Sequence, residues 1–89
     1  MQIIFDKAKD AQNKVKHGLS LSEANKLEWD DALIWQDTRR DYGEARMIAL
    51  GAIAGRLYCA VYVEREGMRR VISLRKANYK EGIYYANQN

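Results

Sequence analysis

The stretch LYCAVYVEREGMRRVISLRK, Leu57–Lys76, holds two alternating apolar runs joined by Glu66-Gly67. Alternation with a period of two marks a strand, and a Gly-containing pair between two such runs marks a tight hairpin turn. Taken as a two-residue turn, Glu66-Gly67 sets Glu64 opposite Arg69, Ala60 opposite Ser73 and Tyr58 opposite Arg75, with Tyr62 between. The alternate positions, Val63, Val61 and Cys59 against Arg70, Ile72 and Leu74, form the expected core face. Both strands then agree on which face is polar, and a one-residue slip would destroy that agreement.

Outward from this hairpin, Ala45–Gly51 is apolar enough for a central strand, residues 37–43 read as a polar turn, and Ala32–Thr38 as another strand. Gln2–Phe5 is a short apolar strand. Asp6 is placed to cap a helix over Lys7–Lys16, with a narrow apolar stripe of Ala8, Ala11 and Val15. Gly18 suits the left-handed position past its end, and Lys16 and His17 suit its negative terminus. A second helix is expected next. Ser20 and Glu23 have capping-box spacing, Leu19 can staple onto Ala24, and Leu21, Ala24, Leu27 and Trp29 supply the buried face. Beyond the hairpin, Asn78 caps a C-terminal helix with Glu81 at its third position. This order predicts an α+β fold: a small antiparallel sheet of four to five strands with two N-terminal helices and a C-terminal helix.

The 89 residues make one domain, 1–89, with no repeat or linker. Hydrophobic residues are 47% and charged residues 30%, the balance of a globular chain rather than a disordered one. No apolar run is long enough for a membrane span, and the N-terminus lacks the apolar core of a signal peptide, so a cytoplasmic location is expected. The single cysteine, Cys59, excludes an internal disulfide. With one histidine besides, no metal centre and no cofactor are expected.

Charge is unevenly placed. Residues 1–44 carry seven Lys/Arg against nine Asp/Glu, a net −2; residues 45–89 carry eight against three, a net +5. The basic half would attract a polyanion or an acidic protein. On the expected open face of the hairpin, Tyr58, Tyr62, Glu64, Arg69, Ser73 and Arg75 combine guanidinium, carboxylate and aromatic groups. Guanidinium forks hold phosphates and aromatic faces stack unpaired bases, so this is the equipment of an RNA-binding surface. The same residues also fit an inert face with a surface ion pair worth under about 1 kcal/mol. Cys59 points into the expected core and reads as an inert thiol. His17 reads as a helix-end charge or a general acid or base. Trp29 and Trp35 read as core or interface anchors, and Asp37, Asp41 and Glu44 as a solvated turn.

Three segments carry a resemblance. Ile3–Ala24, IIFDKAKDAQNKVKHGLSLSEA, has an aromatic-Asp start, a basic helix, Lys-His-Gly, then Ser and Glu-Ala. Asp41–Arg65, DYGEARMIALGAIAGRLYCAVYVER, has Gly-Glu-x-Arg, a strand, Gly-Arg-Leu and a strand ending in Glu-Arg. Arg69–Glu81, RRVISLRKANYKE, has Ile-Ser-x-Arg-Lys-Ala and then Glu. In this order the chain resembles the BrnT toxins of bacterial toxin–antitoxin pairs over about residues 3–85.

The resemblance implies a RelE-like fold, a ribonuclease that arrests translation, and a cognate antitoxin, usually DNA-binding, that neutralises it in a hetero-oligomeric complex. It places weight on Lys16 and His17, Glu44 and Arg46, Glu64 and Arg65, and Arg75 and Lys76, with Glu81 and Tyr85 in the last helix. Basic residues usually crowd that helix in the family; here NYKEGIYYANQN holds one lysine. Metal-free RNA cleavage needs a base for the 2′-hydroxyl, cations on the phosphate and an acid for the leaving oxygen. Arg75, Lys76, Arg69 and Arg46 suit the charge; Glu64, Glu44 or His17 suit the base; Lys16, Tyr58, Tyr62, Arg65, Arg69, Ser73 and Tyr85 are candidates for contact with RNA. The rival reading is a non-catalytic module that binds RNA or antitoxin. No helix concentrates the basic residues, so direct DNA binding is not expected.

Overall fold

Glu66 and Gly67 have φ of +52° and +77° and join β4 (Arg56–Arg65) to β5 (Met68–Lys76) as a two-residue turn. Two consecutive positive φ values give the turn the twist of the strands it joins, and the glycine adopts its value without a Cβ penalty. The structure is a computed structural model, which describes residues 2–88. The remaining elements are β1 (Gln2–Ile4), α1 (Lys7–His17), two short 3₁₀ segments (Leu21–Lys26 and Trp29–Asp31), β2 (Leu33–Gln36), β3 (Met47–Ile53) and α2 (Tyr79–Asn87). The strands form one sheet in the order β1-β5-β4-β3-β2.

The expected hairpin register holds only near the turn. Glu64 pairs with Arg69, Val63 with Arg70 and Tyr62 with Val71. Between Val61 and Tyr62 the register then shifts, so Val61 pairs with Ser73, Ala60 with Leu74, Cys59 with Arg75 and Tyr58 with Lys76. Ile72 is the extra residue of a β-bulge, and past a bulge the bulged strand presents the opposite parity. Leu74 thereby joins Ala60 on one face, and Arg75 joins Cys59 on the other.

The expected open face is also inverted. Tyr62 and Ala60 are 1% and 0% exposed and pack with Ala49, Ile53, Val71 and Leu74 against Leu21, Ala24 and Leu27 of the N-terminal segments. Tyr58 packs at the edge of the same cluster. The reason is area: a tyrosine ring removes far more apolar surface from water than the valines of the opposite parity. Trp29 closes this core, with its ring edge-on to Tyr62 at a centroid distance of 5.3 Å and its Nε1 donating to the Ala24 carbonyl at 3.0 Å.

The sheet is mixed rather than antiparallel. β1 runs parallel to β5, with Ile3 beside Arg69, while the other three pairings are antiparallel. β1 covers β5 only as far as Arg70. Further along, α1 seals the same edge through Asn13: its Nδ2 donates to the Leu74 carbonyl at 2.8 Å and to the Leu19 carbonyl at 2.9 Å, and the Leu74 N–H donates to its Oδ1 at 3.1 Å. The side-chain amide thus replaces a missing strand's peptide. Asn13 is the buried residue of α1, whereas Ala8, Ala11 and Val15, the expected buried stripe, are exposed, Val15 by 90%.

The second expected helix is a 3₁₀ segment without a capping box. The Ser20 hydroxyl accepts from Ser22 N, and Asp10 accepts from both the Ser20 hydroxyl and the Leu21 N–H. The α2 capping box is present, with Asn78 accepting from Glu81 N and Glu81 from Asn78 N. Gly51 on β3 is a close approach: a Cβ there would lie 2.5 Å from Leu27 Cδ2 and 3.2 Å from Ala32 Cβ. Gly51→Ala is expected to lower stability by about 1–3 kcal/mol through overpacking. Unchanged thermal unfolding would show that Leu27 can move aside.

Candidate functional site

The β4–β5 hairpin and the polar segment ahead of β3 bring three of the expected residues together. Arg65 ends β4, and its Nη2 and Nε donate to one oxygen of Glu44 at 2.7 and 3.1 Å. Arg46 lies over the Tyr42 ring, 4.1 Å from its centroid. Glu44, Arg46 and Arg65 line a cleft of about 230 Å³ with Asp6 and Lys9 at the start of α1 and Arg70 on β5. Four cations thus face two carboxylates, and the pair Arg65–Glu44 is half exposed. Such a cleft suits an oxyanion held in a guanidinium fork.

Arg70 was expected in the core and Arg69 on the open face; the two have exchanged. Arg69 lies on the helix side, 4.4 Å from the Trp29 ring centroid and 5.3 Å from that of Tyr62, with Glu64 at 3.7 Å. Its side chain is 16% exposed, and its Nε is buried without a hydrogen bond. A weakly hydrated guanidinium tolerates this aromatic seat. Tyr62 is walled into the core, so its ring is no stacking platform. Its phenol is pushed up by burial.

Arg75 is committed elsewhere. Its Nη1 and Nη2 donate to the two oxygens of Glu81, each at 2.8 Å, tying β5 to the first turn of α2. The hydrogen bonds from Arg75 hold the Glu81 carboxyl below the usual range. A carboxyl with a depressed pKa stabilises the fold above its unfolded value and loses that contribution as pH falls through its folded value. Release of α2 is therefore expected to set in only as pH falls below the ordinary glutamate value of about 4.3 and through the lower folded value of Glu81. In Arg75→Ala, α2 should already exchange its amides faster at neutral pH. Amide exchange that is uniform across α2 and the sheet at every pH would contradict this role.

The other expected residues are scattered. Ser73 pairs with Val61 and Lys76 with Tyr58, and the Lys76 carbonyl accepts from Arg75 at 3.3 Å. Lys16 is exposed and His17 ends α1; no hydrogen bond or ion pair among the described residues joins either to the Glu44 cleft. The Tyr85 hydroxyl donates to the Asp31 carbonyl at 3.4 Å. Burial pushes the Cys59 thiol up to about 11, leaving it un-ionised at neutral pH.

Sequence reasoning missed Arg70, because the parity of the hairpin was read with its faces exchanged, and Lys9, because only the tertiary placement of α1 brings it to the cleft. It also took residues 37–43 for a solvated turn. Asp37 is in fact 4% exposed and organises that turn, accepting from Arg39 N, Nε and Nη2 and from the Tyr42 hydroxyl. These bonds, those from Arg39 foremost, hold its carboxyl well below the usual range. Tyr42 in turn carries Arg46. Among the described residues, no three His, Cys, Asp or Glu side chains converge as a metal site requires.

The model of the family described as ribonuclease toxin, BrnT, of type II toxin–antitoxin systems matches residues 5–81. The crystal structure of the Brucella abortus ribonuclease toxin BrnT superposes with a TM-score of 0.70 at 27% identity, covering 88% of this chain and 97% of that one. A search of curated proteins gives no match.

Proposed function

This chain belongs to the BrnT family of ribonuclease toxins of type II toxin–antitoxin systems, and from that premise we propose that it cleaves RNA at the cleft of Glu44, Arg46, Arg65 and Arg70. The observation that carries the reading is the convergence of Glu44, Arg46 and Arg65 with Lys9 and Arg70, a cationic cleft containing one carboxylate bonded directly to a guanidinium.

Arg46, Arg65 and Arg70 hold the scissile phosphate and neutralise the charge that grows on it. Glu44 takes the 2′-hydroxyl proton as the 2′-oxygen forms its bond to phosphorus. The phosphorus–5′-oxygen bond breaks, water protonates the leaving oxygen, and a 2′,3′-cyclic phosphate remains. This chemistry asks for no metal ion. Arg75 has a structural duty at α2, while Lys16, Lys76, Ser73 and Tyr85 are not among the residues that line the cleft. His17, Glu64 and Arg69 lie outside the reaction, and Tyr58 and Tyr62 support the sheet.

The cognate antitoxin, a DNA-binding protein in a hetero-oligomeric complex in the cytoplasm, neutralises the toxin by covering the same cleft. No described helix is long and apolar enough to cross a membrane.

The test is cleavage of an RNA oligonucleotide and its DNA counterpart by the purified chain, with chelator and without. RNA cleavage with a cyclic phosphate product, intact DNA and indifference to chelator are expected. Arg65→Ala should lower the rate on the order of 10²-fold, as loss of one anion-stabilising donor does, yet barely change the melting temperature. Full activity in Arg65→Ala and Arg70→Ala would move the site elsewhere. Activity lost on chelation would overturn the mechanism, and RNA binding without cleavage would make this chain a binding module.

A further inference from the structure

β2 ends the sheet, and among the described residues nothing pairs with its outer edge. The strand reads Leu33-Ile34-Trp35-Gln36. It has no charge, proline or bulge, the devices that usually protect an edge from pairing with another chain. Asp37 N donates to the Arg46 carbonyl at 2.8 Å, continuing the β2–β3 ladder. Paired and unpaired positions alternate in an antiparallel ladder, so Leu33 and Trp35 turn their peptide groups to β3, and Ile34 and Gln36 turn theirs outward. Ile34 is 38% exposed.

We propose that this edge pairs with β2 of a second copy of the chain, antiparallel across a two-fold axis, to give one continuous sheet. Ile34 of each copy exchanges N–H and C=O with Gln36 of the other, and the two Trp35 side chains meet at the axis, each already backed by Tyr84 at a ring-centroid distance of 5.6 Å. The occupant is identified by charge. β2 is preceded by Asp30 and Asp31 and followed by Arg39 and Arg40, all exposed; the Asp37 carboxylate already holds Arg39, so Arg40 is the cation that this end offers to a second copy. Antiparallel self-pairing brings the acidic end of each copy beside the basic end of the other, twice over. Parallel pairing would set like charges together. A two-fold contact is self-complementary and closes after two copies, so it does not propagate into fibres. The inference does not depend on whether the chain cleaves RNA.

Sedimentation equilibrium of the chain, separated from its antitoxin in denaturant and refolded, should give twice its mass of 10.3 kDa as concentration rises. Gln36→Pro removes an outward N–H that β3 does not use, and Ile34→Lys places a charge on the edge; each should return the mass to that of one chain with unchanged circular dichroism. Asp30→Arg alone and Arg40→Asp alone should each weaken the dimer by roughly five- to tenfold. The chain carrying both should regain it. A chain monomeric at every concentration overturns the proposal, as does a dimer indifferent to all four substitutions. Loss of antitoxin binding in Gln36→Pro, with a monomeric parent chain, assigns the edge to the antitoxin and also overturns it.

Discussion

Tyr62→Ala is expected to destabilise the protein by about 3–5 kcal/mol, the usual cost of emptying a large aromatic site in a core. Tyr62 is 1% exposed at the centre of the sheet's helix face. Its removal takes away the edge contact to Trp29 and one of the two rings that seat Arg69, whose Nε already lacks a hydrogen bond. The cavity would open beside a cation, so collapse or hydration both carry a cost. Tyr62→Phe retains the ring and should lie within about 0.5 kcal/mol of the parent, because the phenol has no hydrogen-bond partner among the described residues. Chemical denaturation of the two variants separates packing from polarity. A small loss in Tyr62→Ala would mean that this side of the sheet is open, as the alternation by itself had indicated.

Asn13→Ala should cost about 3–5 kcal/mol, a comparable amount from a different source. It leaves the Leu74 N–H, the Leu74 carbonyl and the Leu19 carbonyl without their partner, and each buried unsatisfied group costs about 1–3 kcal/mol before water relieves part of it. Asn13→Asp is the sharper probe. Its carboxylate still accepts from Leu74 N, but it turns an acceptor toward two carbonyls. Protonated, it can donate again to one of them. Its folded-state pKa should therefore lie above the unfolded value, so the variant should gain stability as pH falls through that raised value. A variant whose stability only declines in acid would show that Asn13 is not the amide that completes the sheet edge.

The hairpin was legible because its evidence is local. Alternation, the Glu66-Gly67 turn and the Asn78–Glu81 capping box each involve residues a few positions apart, and the structure contains all three. The α+β class followed from the order of elements. The candidate cleft was partly legible: Glu44, Arg46 and Arg65 stood out by residue type and by the family pattern, and they line one cleft. Arg75 stood out for the same reasons, but its bidentate bond to Glu81 ties it to α2, and it does not line the cleft. Residue type announces a cation; only its neighbours in space show which carboxylate it holds and which cleft it faces.

The sequence by itself therefore determined the element order, the turn, the C-terminal cap and the family. Tertiary structure alone decided which face of the sheet the N-terminal segments cover, the bulge at Ile72 that reverses the end of β5, the parallel seat of β1 and the use of Asn13 as a substitute strand. The reason is physical. Alternation divides a strand into two faces without labelling either as inner; that label depends on total apolar area brought together from distant segments. A bulge inserts one residue without leaving a mark in the pattern. An edge peptide accepts any correctly spaced donor and acceptor, so whether a strand or an asparagine fills the place depends on which the folded chain delivers there.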